Sequence, residues 1–430
     1  MIRRHLEPLV LEALQQFPVV LLTGARQVGK STLVQALCRG AWPASYLTLD
    51  DRTTLDAALT DPDGFIAANP GPVAIDEIQR APDLLRAIKL QVDRHRKPGR
   101  FLITGSANIL TLKTVSETLA GRIALHQLYP FSDAELHRRP SSPTILPRLF
   151  KSKDPLAVLR TLRADRPPRP AHIMSSRGGR SGHQLLADIL HGGYPDPALA
   201  THPSARSRWF EAYRTTYIER DIMQLTAIER LPEFGRLMLL AAARTGQVLN
   251  FADLGRDAGL PYVTLRRYMQ VLEQTYQVSL ISPFFTNVSK RLSKAPKLYW
   301  TDTGMAAHLL DLDDVHALER SPKLGALVET WVAQELQKLL SVAPVPMRLY
   351  GWRLQSGPEV DFLIEHGQRF VALEVKWGRS IDRAFLKTSQ TLQAQWGQQL
   401  VVGVMLYGGD EVVALGPKMV AVPLGMFFNA

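Results

Sequence analysis

The sequence predicts an α/β fold whose amino-terminal third is a parallel sheet with helices on both faces. Three apolar runs, at positions 18–23, 72–75 and 100–106, indicate buried strands, and the third ends in small polar residues. A further strand candidate lies at 46–49, and segments with helical spacing separate the strands. This alternation is typical of parallel sheets, in which ligands bind at the carboxyl ends of the strands. We therefore expect the polar residues that follow these runs to share one site.

The first run leads into a glycine-rich loop that predicts a phosphate site. Residues 24–31 read Gly-Ala-Arg-Gln-Val-Gly-Lys-Ser, the P-loop pattern of two glycines separated by four residues and followed by Lys and Ser. Helical spacing from position 31 to 37 places a helix amino terminus after the loop, where it favours an anion. Lys30 would add positive charge near the β- and γ-phosphates, and the Ser31 hydroxyl would hold Mg²⁺. The predicted nucleotide-binding residues are Gly24, Ala25, Arg26, Gln27, Val28, Gly29, Lys30, Ser31 and Thr32.

An acidic pair, Asp76 and Glu77, follows the second apolar run. An Asp at such a strand end can hold the Mg²⁺ shell, and a following Glu can polarise the attacking water as a base. The pair taken alone could instead cap the next helix. Its place behind the P-loop favours the catalytic interpretation, so we predict Ser31 and Asp76 as metal ligands and Lys30 and Glu77 as catalytic residues.

Composition and charge indicate the class of partner. The chain has 430 residues, enough for two to four domains, and a formal net charge of +11. Residues 141–180 hold nine Lys and Arg against two Asp, a net of +7, and residues 236–300 hold nine against three acids, a net of +6. Such clusters predict DNA or RNA as a partner, the alternative being a solvated surface. No apolar run reaches the ~18–20 residues of a membrane span, and one cysteine, Cys38, suits a reducing compartment, so we expect a cytoplasmic protein.

The middle of the chain departs from the strand and helix alternation. Residues 137–182 are rich in Pro, Gly and basic residues, which predicts a mobile insertion that contacts nucleic-acid phosphates. One short helix is possible within it, at 155–162. Residues 183–232 predict a helical segment, and residues 233–300 predict a winged-helix middle domain of three helices and a basic hairpin. The same module could instead serve packing or close a nucleotide site. As a DNA-binding design it would use Arg266, Arg267, Lys290, Arg291 and Lys294.

Residues 301–430 predict a third α/β domain with its own acidic residues. A strand at 357–364 carries Asp361, and the return strand at 370–376 carries Glu374 and Lys376 on one face. Such a group can hold Mg²⁺ and position a water against a phosphodiester, and Glu329 on a preceding helix could add a carboxylate. The alternative is the polar face of a hairpin with a Glu–Lys pair.

With these motifs in place, the chain resembles prokaryotic AAA-type P-loop ATPases that carry a carboxyl-terminal domain of unknown function. The resemblance covers nearly the whole chain except 137–182, and it implies that residues 301–430 adopt a restriction-endonuclease-like fold. It also implies a polar sensor near the γ-phosphate, for which Ser106 or Asn108 is suited. Arg122 could stabilise transition-state charge in its own subunit or in a neighbour of a homo-oligomer, or it could form a structural ion pair. The motifs lie at positions 24–32, 76–79, 104–106, 119–122, 192–195, 216–221, 297–299, 302–304, 359–361 and 374–376.

These observations predict a P-loop ATPase core at 1–136 that binds ATP and Mg²⁺. The leading hypothesis is an ATP hydrolase that couples its nucleotide state to DNA binding, with Lys30, Glu77 and Arg122 in catalysis. One alternative is an ATP-regulated, metal-dependent nuclease that acts through its carboxyl-terminal acids. The other is a nucleotide-gated DNA or protein adaptor without hydrolysis.

Overall fold

The computed structural model describes residues 2–105, 119–139, 145–162, 182–216, 231–287, 289, 291, 294–354, 357–381 and 383–428. The chain forms two compact units. The first comprises Met1–Phe131 and Gln270–Gln277, and the second comprises Ser132–Met269 and Val278–Ala430. The first unit ends close to the predicted boundary at 136. The segments predicted as separate regions from 183 onward share the second unit, apart from the return of the chain at 270–277.

A parallel five-stranded sheet forms the centre of the first unit. Its strands, β1 to β5, are Val19–Thr23, Ser45–Thr48, Val73–Asp76, Phe101–Gly105 and Ile123–Gln127. They lie in the order β2-β3-β4-β1-β5, and parallel neighbours of this kind require crossover connections. Helices α1 to α5 of this unit are Glu7–Gln16, Lys30–Arg39, Arg52–Thr60, Pro62–Ala68 and Leu84–Arg94.

The three central strands, β3, β4 and β1, are apolar over most of their length because they are covered on both faces, whereas the edge strands β2 and β5 are partly exposed. Strand β1 is fully buried from position 19 to 22, and β4 is fully buried from 101 to 104. The predicted strands at 18–23, 46–49, 72–75 and 100–106 are confirmed to within about one residue. The carboxyl ends of β1, β3 and β4 lie side by side, because these strands pair in parallel.

The second unit contains two sheets. The smaller is antiparallel, in the order β6-β8-β7, and consists of Gln247–Val248 (β6), Val278–Ile281 (β7) and Lys297–Trp300 (β8). The larger is mixed, in the order β13-β14-β12-β11-β10-β9. Its strands, β9 to β14, are Arg348–Arg353, Glu359–His366, Arg369–Lys376, Leu400–Tyr407, Val413–Gly416 and Met419–Pro423.

Helices that follow Phe131 along the chain surround these sheets. No helix among the described residues combines the length and the apolar character that a membrane span requires. These helices, α6 to α19, are Asp133–Leu136, Ile145–Lys151, Pro155–Thr161, Gly182–His191, Pro195–Leu199, Pro203–Tyr213, Leu231–Ala243, Phe251–Ala258, Tyr262–Gln274, Thr303–Leu309, Val315–Arg320, Leu324–Ser341, Arg383–Trp396 and Leu424–Phe427.

The insertion predicted at 137–182 is ordered over part of its length. Helices α7 and α8 lie within it, and they bury Leu149 and Leu159 completely. The Phe150 carbonyl accepts a hydrogen bond of 2.6 Å from Arg369 at the start of β11. The prediction of a mobile segment is therefore wrong for the helix at 145–151, because its apolar side chains are buried, whereas the short helix considered possible at 155–162 is present as α8. The remaining basic residues at 163–181 lie outside the described residues.

The segment 231–300 contains helix, strand, helix, helix and two strands in that order. Helix α13 is capped at both ends, since the Asn250 side chain accepts from the N–H groups of the first turn and Gly259 ends the helix at a φ of 69°. The chain between β7 and β8 is not a free hairpin, however. The Phe284 N–H donates to the Gly351 carbonyl of β9 at 2.7 Å, and the Gly351 N–H donates to the Ser282 carbonyl at 3.1 Å.

Candidate nucleotide site and a second acidic centre

The glycine-rich loop connects β1 to α2, as the P-loop pattern predicts. Gly24 has a φ of 144°, and a Cβ atom on it would lie 2.2 Å from the Leu128 carbonyl oxygen. Gly29 has a φ of 94° and immediately precedes α2. Both positions therefore require glycine, because residues with a side chain avoid these φ angles. At Gly24 the close approach of the Leu128 carbonyl excludes a side chain as well. Gln27 also adopts a left-handed conformation, with a φ of 62°.

Lys30 is buried at the first turn of α2 and its side chain points back to the loop. Its ammonium donates to the carbonyls of Gly24 at 3.0 Å and Ala25 at 2.9 Å. Burial lowers the pKa of Lys30 from 10.5 to about 8, and the carboxylates of Glu77 and Asp76 oppose this shift. Because the two carboxylates offset only part of the burial effect, an additional anion beside Lys30 would stabilise its charged form.

The two predicted metal ligands, Ser31 and Asp76, both hydrogen-bond with Tyr46, which was not among the predicted site residues. The Tyr46 hydroxyl, on β2, donates to Asp76 Oδ2 at 2.6 Å and hydrogen-bonds with Ser31. Burial and the contact with Asp76 raise the pKa of Tyr46 to about 12, so the phenol keeps its proton at neutral pH. Hydroxyl and carboxylate oxygens are ligands that Mg²⁺ prefers, so Ser31 and Asp76 suit this ion.

Glu77 is held in a strained backbone conformation beside Asp76. Its φ and ψ are 60° and 45°, values that a residue with a side chain adopts rarely. Its N–H donates to the Thr104 hydroxyl at 3.1 Å, and this hydroxyl donates in turn to Asp76. The carboxylate accepts from the side-chain amide of Gln79. Thr104 thus occupies the strand end next to the acidic pair, while the predicted sensors Ser106 and Asn108 lie outside the described residues.

The structure does not bring Arg122 to this site of its own chain. Its carbonyl accepts from the Val19 N–H at the start of β1, which is the opposite end of the sheet from the P-loop. The guanidinium pairs with Asp93 on α5 at 2.5 Å. A catalytic role within the same chain is therefore wrong, because parallel pairing places the residue before β5 at the amino-terminal edge.

Arg4 contacts the P-loop, and the sequence analysis did not predict this contact. Its guanidinium donates to the Val28 carbonyl at 2.8 Å and to the Tyr129 carbonyl at 2.5 Å. It also lies 4.6 Å from the centre of the Phe131 ring. A buried arginine bound to loop carbonyls restricts the loop conformation, and the basic start of the chain, 26 residues from Lys30, carried no signal for this contact.

A second acidic centre lies in the second unit, where the predicted carboxyl-terminal residues come together. The ammonium of Lys297 on β8 lies 3.0 Å from Glu329 Oε1 on α17 and 3.1 Å from Asp361 Oδ1 on β10. The Tyr299 hydroxyl donates to Glu329 at 2.6 Å. Lys297 and Tyr299 come from a segment that sequence reasoning assigned to the winged helix, so their presence here was not predicted.

Strand β11 adds the remaining predicted pair to this centre. Glu374 is buried, and its Oε1 atom lies 2.9 Å from the Lys376 ammonium. Burial, followed by repulsion from Asp361, raises the pKa of Glu374 to about 8, and the same two causes raise the pKa of Glu329 to about 7. Despite its burial, the pKa of Lys297 lies above the ordinary value because Asp361 and Glu329 flank it.

The predicted DNA contacts divide into two groups. Arg266 and Arg267 are exposed on α14, where the Arg266 side chain hydrogen-bonds with the Tyr262 hydroxyl at 3.2 Å, and Lys294 is also exposed. Arg291 instead packs 4.3 Å from the centre of the Phe284 ring and lies 3.8 Å from Glu365. The prediction for Arg291 is therefore wrong, because only 17% of its side chain is exposed and its charge is partly paired. Lys290 lies outside the described residues.

Three families match successive parts of the chain. Residues 16–137 match the AAA domain, residues 183–316 match a domain of unknown function named DUF8612, and residues 324–427 match another named DUF4143. Uncharacterized proteins of Mycobacterium bovis and Mycobacterium tuberculosis are each 33% identical over 424 residues, which is 98% of this chain and 83% of theirs. The chain belongs to the family of AAA-domain proteins that includes these two mycobacterial proteins.

Membership of this family supports an AAA-type P-loop domain of the nucleotide-binding ATPase class. A structure of a RuvB variant from Thermotoga maritima aligns with 64% of this chain and 86% of its own at 18% identity, with a TM-score of 0.26.

Proposed function

We propose that the protein hydrolyses ATP with Mg²⁺ and that its nucleotide state controls DNA binding. The observation that carries the ATPase proposal is the position of Asp76 and Glu77 at the carboxyl end of β3, close enough to Lys30 at the end of the glycine-rich loop for their charges to act on its ammonium. Lys30 would release the loop carbonyls and bind phosphate oxygens. Ser31 and Asp76 would hold Mg²⁺, which neutralises phosphate charge when bound.

Glu77 would polarise the attacking water. The Thr104 hydroxyl fixes its backbone and the Gln79 amide fixes its carboxylate, so the base is positioned by groups on two neighbouring elements. A positioned general base contributes ~10²–10⁴-fold to a rate. The strained backbone at Glu77 is consistent with such a role, since strain of this kind persists where the surroundings enforce it.

Turnover and binding of ATP by purified variants test this assignment. Lys30→Met is expected to lose ATP binding, whereas Glu77→Gln should bind ATP normally and lose about 10²-fold or more in kcat. Arg52→Met, which changes a side chain that is 93% exposed, serves as the control. Hydrolysis at the wild-type rate by either site variant would overturn the proposal.

The DNA-binding part of the proposal rests on the segment 231–300. Its three helices and three-stranded sheet have the element order of a winged helix, and α14 presents Arg266 and Arg267 to solvent. The last turn of α14, from Gln270, already belongs to the first unit, where the Tyr276 side chain hydrogen-bonds with Thr23, the last residue of β1. This continuity offers a route by which nucleotide at the P-loop would affect the arginine-bearing helix.

Salt-dependent DNA binding tests this part separately. Replacing both arginines in Arg266→Ala/Arg267→Ala should weaken binding and reduce the slope of log K against log salt by about 2, since each phosphate contact contributes ~0.9. Arg291→Ala is the contrasting variant, because its buried cation should leave the slope unchanged. An unchanged slope in the double variant would overturn the assignment of this helix.

A metal-dependent nuclease is the second candidate function. The observation that favours it is the convergence of Asp361, Glu374 and Lys376 on adjacent strands, with Glu329 on the same centre. Nicking of supercoiled plasmid with Mg²⁺ or Mn²⁺ by wild type but not by Asp361→Asn would support it. Equal nicking by both proteins would assign the activity to a contaminant and reject the candidate.

A further inference from the structure

Tyr46 lies on the face of the first sheet that carries Asp76. In the register of β2 with β3, Tyr46 pairs with Ala74 and Thr48 pairs with Asp76. Successive side chains of a strand alternate between faces, so Ala74 and Asp76 share one face and Tyr46 lies beside them on it. The phenol spans the remaining distance along the strand, and its hydroxyl donates to Asp76 Oδ2 at 2.6 Å.

Two side chains of α2 reach the same phenol oxygen. Ser31 and Gln35 are four positions apart in this helix, a spacing that places both side chains on one helix face. Both form hydrogen bonds with the Tyr46 hydroxyl. This hydroxyl therefore connects the helix that follows the glycine-rich loop with the strand end that carries Asp76.

The single proton of the phenol fixes the direction of the hydrogen bonds at this oxygen. Tyr46 donates that proton to Asp76, so toward Ser31 and Gln35 its oxygen can only accept. The Gln35 side chain consequently donates through its amide N–H, and the Ser31 hydroxyl donates its own proton to Tyr46. The lone pairs of the Ser31 oxygen are left for another partner, and a cation is a partner of the right kind.

The Asp76 carboxylate is oriented by a hydroxyl group at each of its oxygens. Oδ2 accepts from Tyr46, Oδ1 accepts from Thr104, and the residue is buried. A carboxylate offers about four acceptor sites, so these two hydrogen bonds fix its orientation and leave sites for a cation or for a water molecule on that cation. Tyr46 is the member of this group that contacts both predicted metal ligands.

We propose that Tyr46 positions the Ser31 hydroxyl and the Asp76 carboxylate for Mg²⁺, and that it thereby sets how much Mg²⁺ strengthens ATP binding. The inference rests on the proposed ATPase, in which Ser31 and Asp76 hold the cation. Tyr46 acts through these two ligands, so it is a positioning residue. Without the phenol hydroxyl, the Ser31 hydroxyl is free to rotate and Asp76 loses one of the two hydroxyl contacts that orient it.

Calorimetry of ATP binding, in Mg²⁺ and in EDTA, measures the gain in affinity that Mg²⁺ provides. The full-length Glu77→Gln protein serves as the parent, because it should bind ATP without turnover. Adding Tyr46→Phe keeps the ring and is expected to reduce the Mg²⁺ gain about tenfold or more, as loss of a group that orients metal ligands typically does. ATP affinity in EDTA should match that of the parent, because Lys30 and the loop amides are unchanged. A Mg²⁺ gain equal to the parent's would overturn the inference, and so would equal losses of affinity in Mg²⁺ and in EDTA.

A matched control separates this role from the general effect of removing a phenol hydroxyl. Tyr407 at the end of β12, in the second unit, also donates a hydrogen bond of 2.6 Å, to the Glu411 carbonyl. Tyr407→Phe in the same parent should leave the Mg²⁺ gain unchanged. A reduction equal to that caused by Tyr46→Phe would overturn the assignment.

A second variant keeps the test decisive if Tyr46→Phe folds poorly. Gln35→Met keeps the phenol but removes the amide that holds it on α2, so part of the Mg²⁺ gain should be lost, and a gain equal to the parent's would then overturn the inference. The two proposals can also be told apart. A parent that gains nothing from Mg²⁺ would overturn the metal assignment together with this inference, whereas a full gain in Tyr46→Phe would overturn this inference alone.

Discussion

ATP affinity is expected to fall as the pH rises above 8, because Lys30 must be charged to bind phosphate. Burial lowers the pKa of this lysine in the free protein from 10.5 to about 8, and Glu77 and Asp76 offset only part of the effect. Bound phosphates favour the charged form and raise the pKa again. Below pH 8 the ammonium is already present and affinity should be level, whereas above pH 8 binding must take up a proton.

The size of the effect follows from the fraction of Lys30 that is protonated. With a pKa of about 8, this fraction falls about tenfold between pH 7 and pH 9, and ATP affinity should fall by the same factor, or ~1.4 kcal/mol. Isothermal calorimetry of the Glu77→Gln protein measures affinity without turnover. Repeating each titration in buffers of different ionisation enthalpy reports the proton uptake directly.

Lys30→Arg provides the control, because a guanidinium stays charged throughout this range. Its ATP affinity is expected to be weaker but level between pH 7 and pH 9. A wild-type affinity that stays level over the same range would refute the reasoning, and so would a fall of equal size in Lys30→Arg.

Three further variants test other parts of the structure. Gly24→Ala should weaken ATP binding and lower the free energy of unfolding by about 2 kcal/mol or more, because the new Cβ would lie 2.2 Å from a backbone oxygen. Urea unfolding should show no such loss in the control Gly71→Ala, where the described chain places no atom within 4 Å of the new Cβ. Arg4→Met should raise the KM for ATP about tenfold with little change in kcat, and an equal effect of Arg3→Met, whose side chain is 73% exposed, would contradict this. Burial raises the pKa of Glu374 from 4.5 to about 8, so the folded state holds an extra proton between these values and stability falls as the pH rises from about 5 to 8. Urea unfolding at several pH values should show a smaller decrease in the free energy of unfolding with pH for Glu374→Gln than for wild type. An equal decrease in the two proteins would contradict the raised pKa of Glu374.

Local patterns predicted the first unit well. The strands before the P-loop and before Asp76 are continuous apolar runs because both faces of a parallel sheet are buried. The loop itself needs Gly24 and Gly29 at angles that other residues avoid, so the requirement is visible in the sequence. Parallel pairing then places Lys30 and Asp76 at one edge of the sheet without further information.

Predictions about individual charges succeeded less often. Arg122 was expected either to stabilise transition-state charge or to form a structural ion pair, and it pairs with Asp93 at the far edge of the sheet. Arg291 was expected to contact DNA, yet it packs against Phe284. A basic residue in a basic segment favours a polyanion on average, but composition does not specify which side chains find a carboxylate or an aromatic ring nearby. The helix at 145–151 was missed for a related reason, since the Pro and Arg residues around it outweighed a short apolar pattern, whereas the helix considered possible at 155–162 is present as α8.

The sequence alone determined that this protein has a P-loop sheet and that the acidic pair Asp76 and Glu77 follows one of its strands. The physical basis is local, because buried strands require continuous apolar residues and the loop requires glycine at fixed positions. Only the tertiary structure decided that Lys297 enters the acidic centre of another sheet and that Arg4 supports the P-loop. The physical reason is that a buried charge is stabilised by whichever opposite charge or carbonyl the fold brings within about 3 Å, and that partner can lie anywhere along the chain.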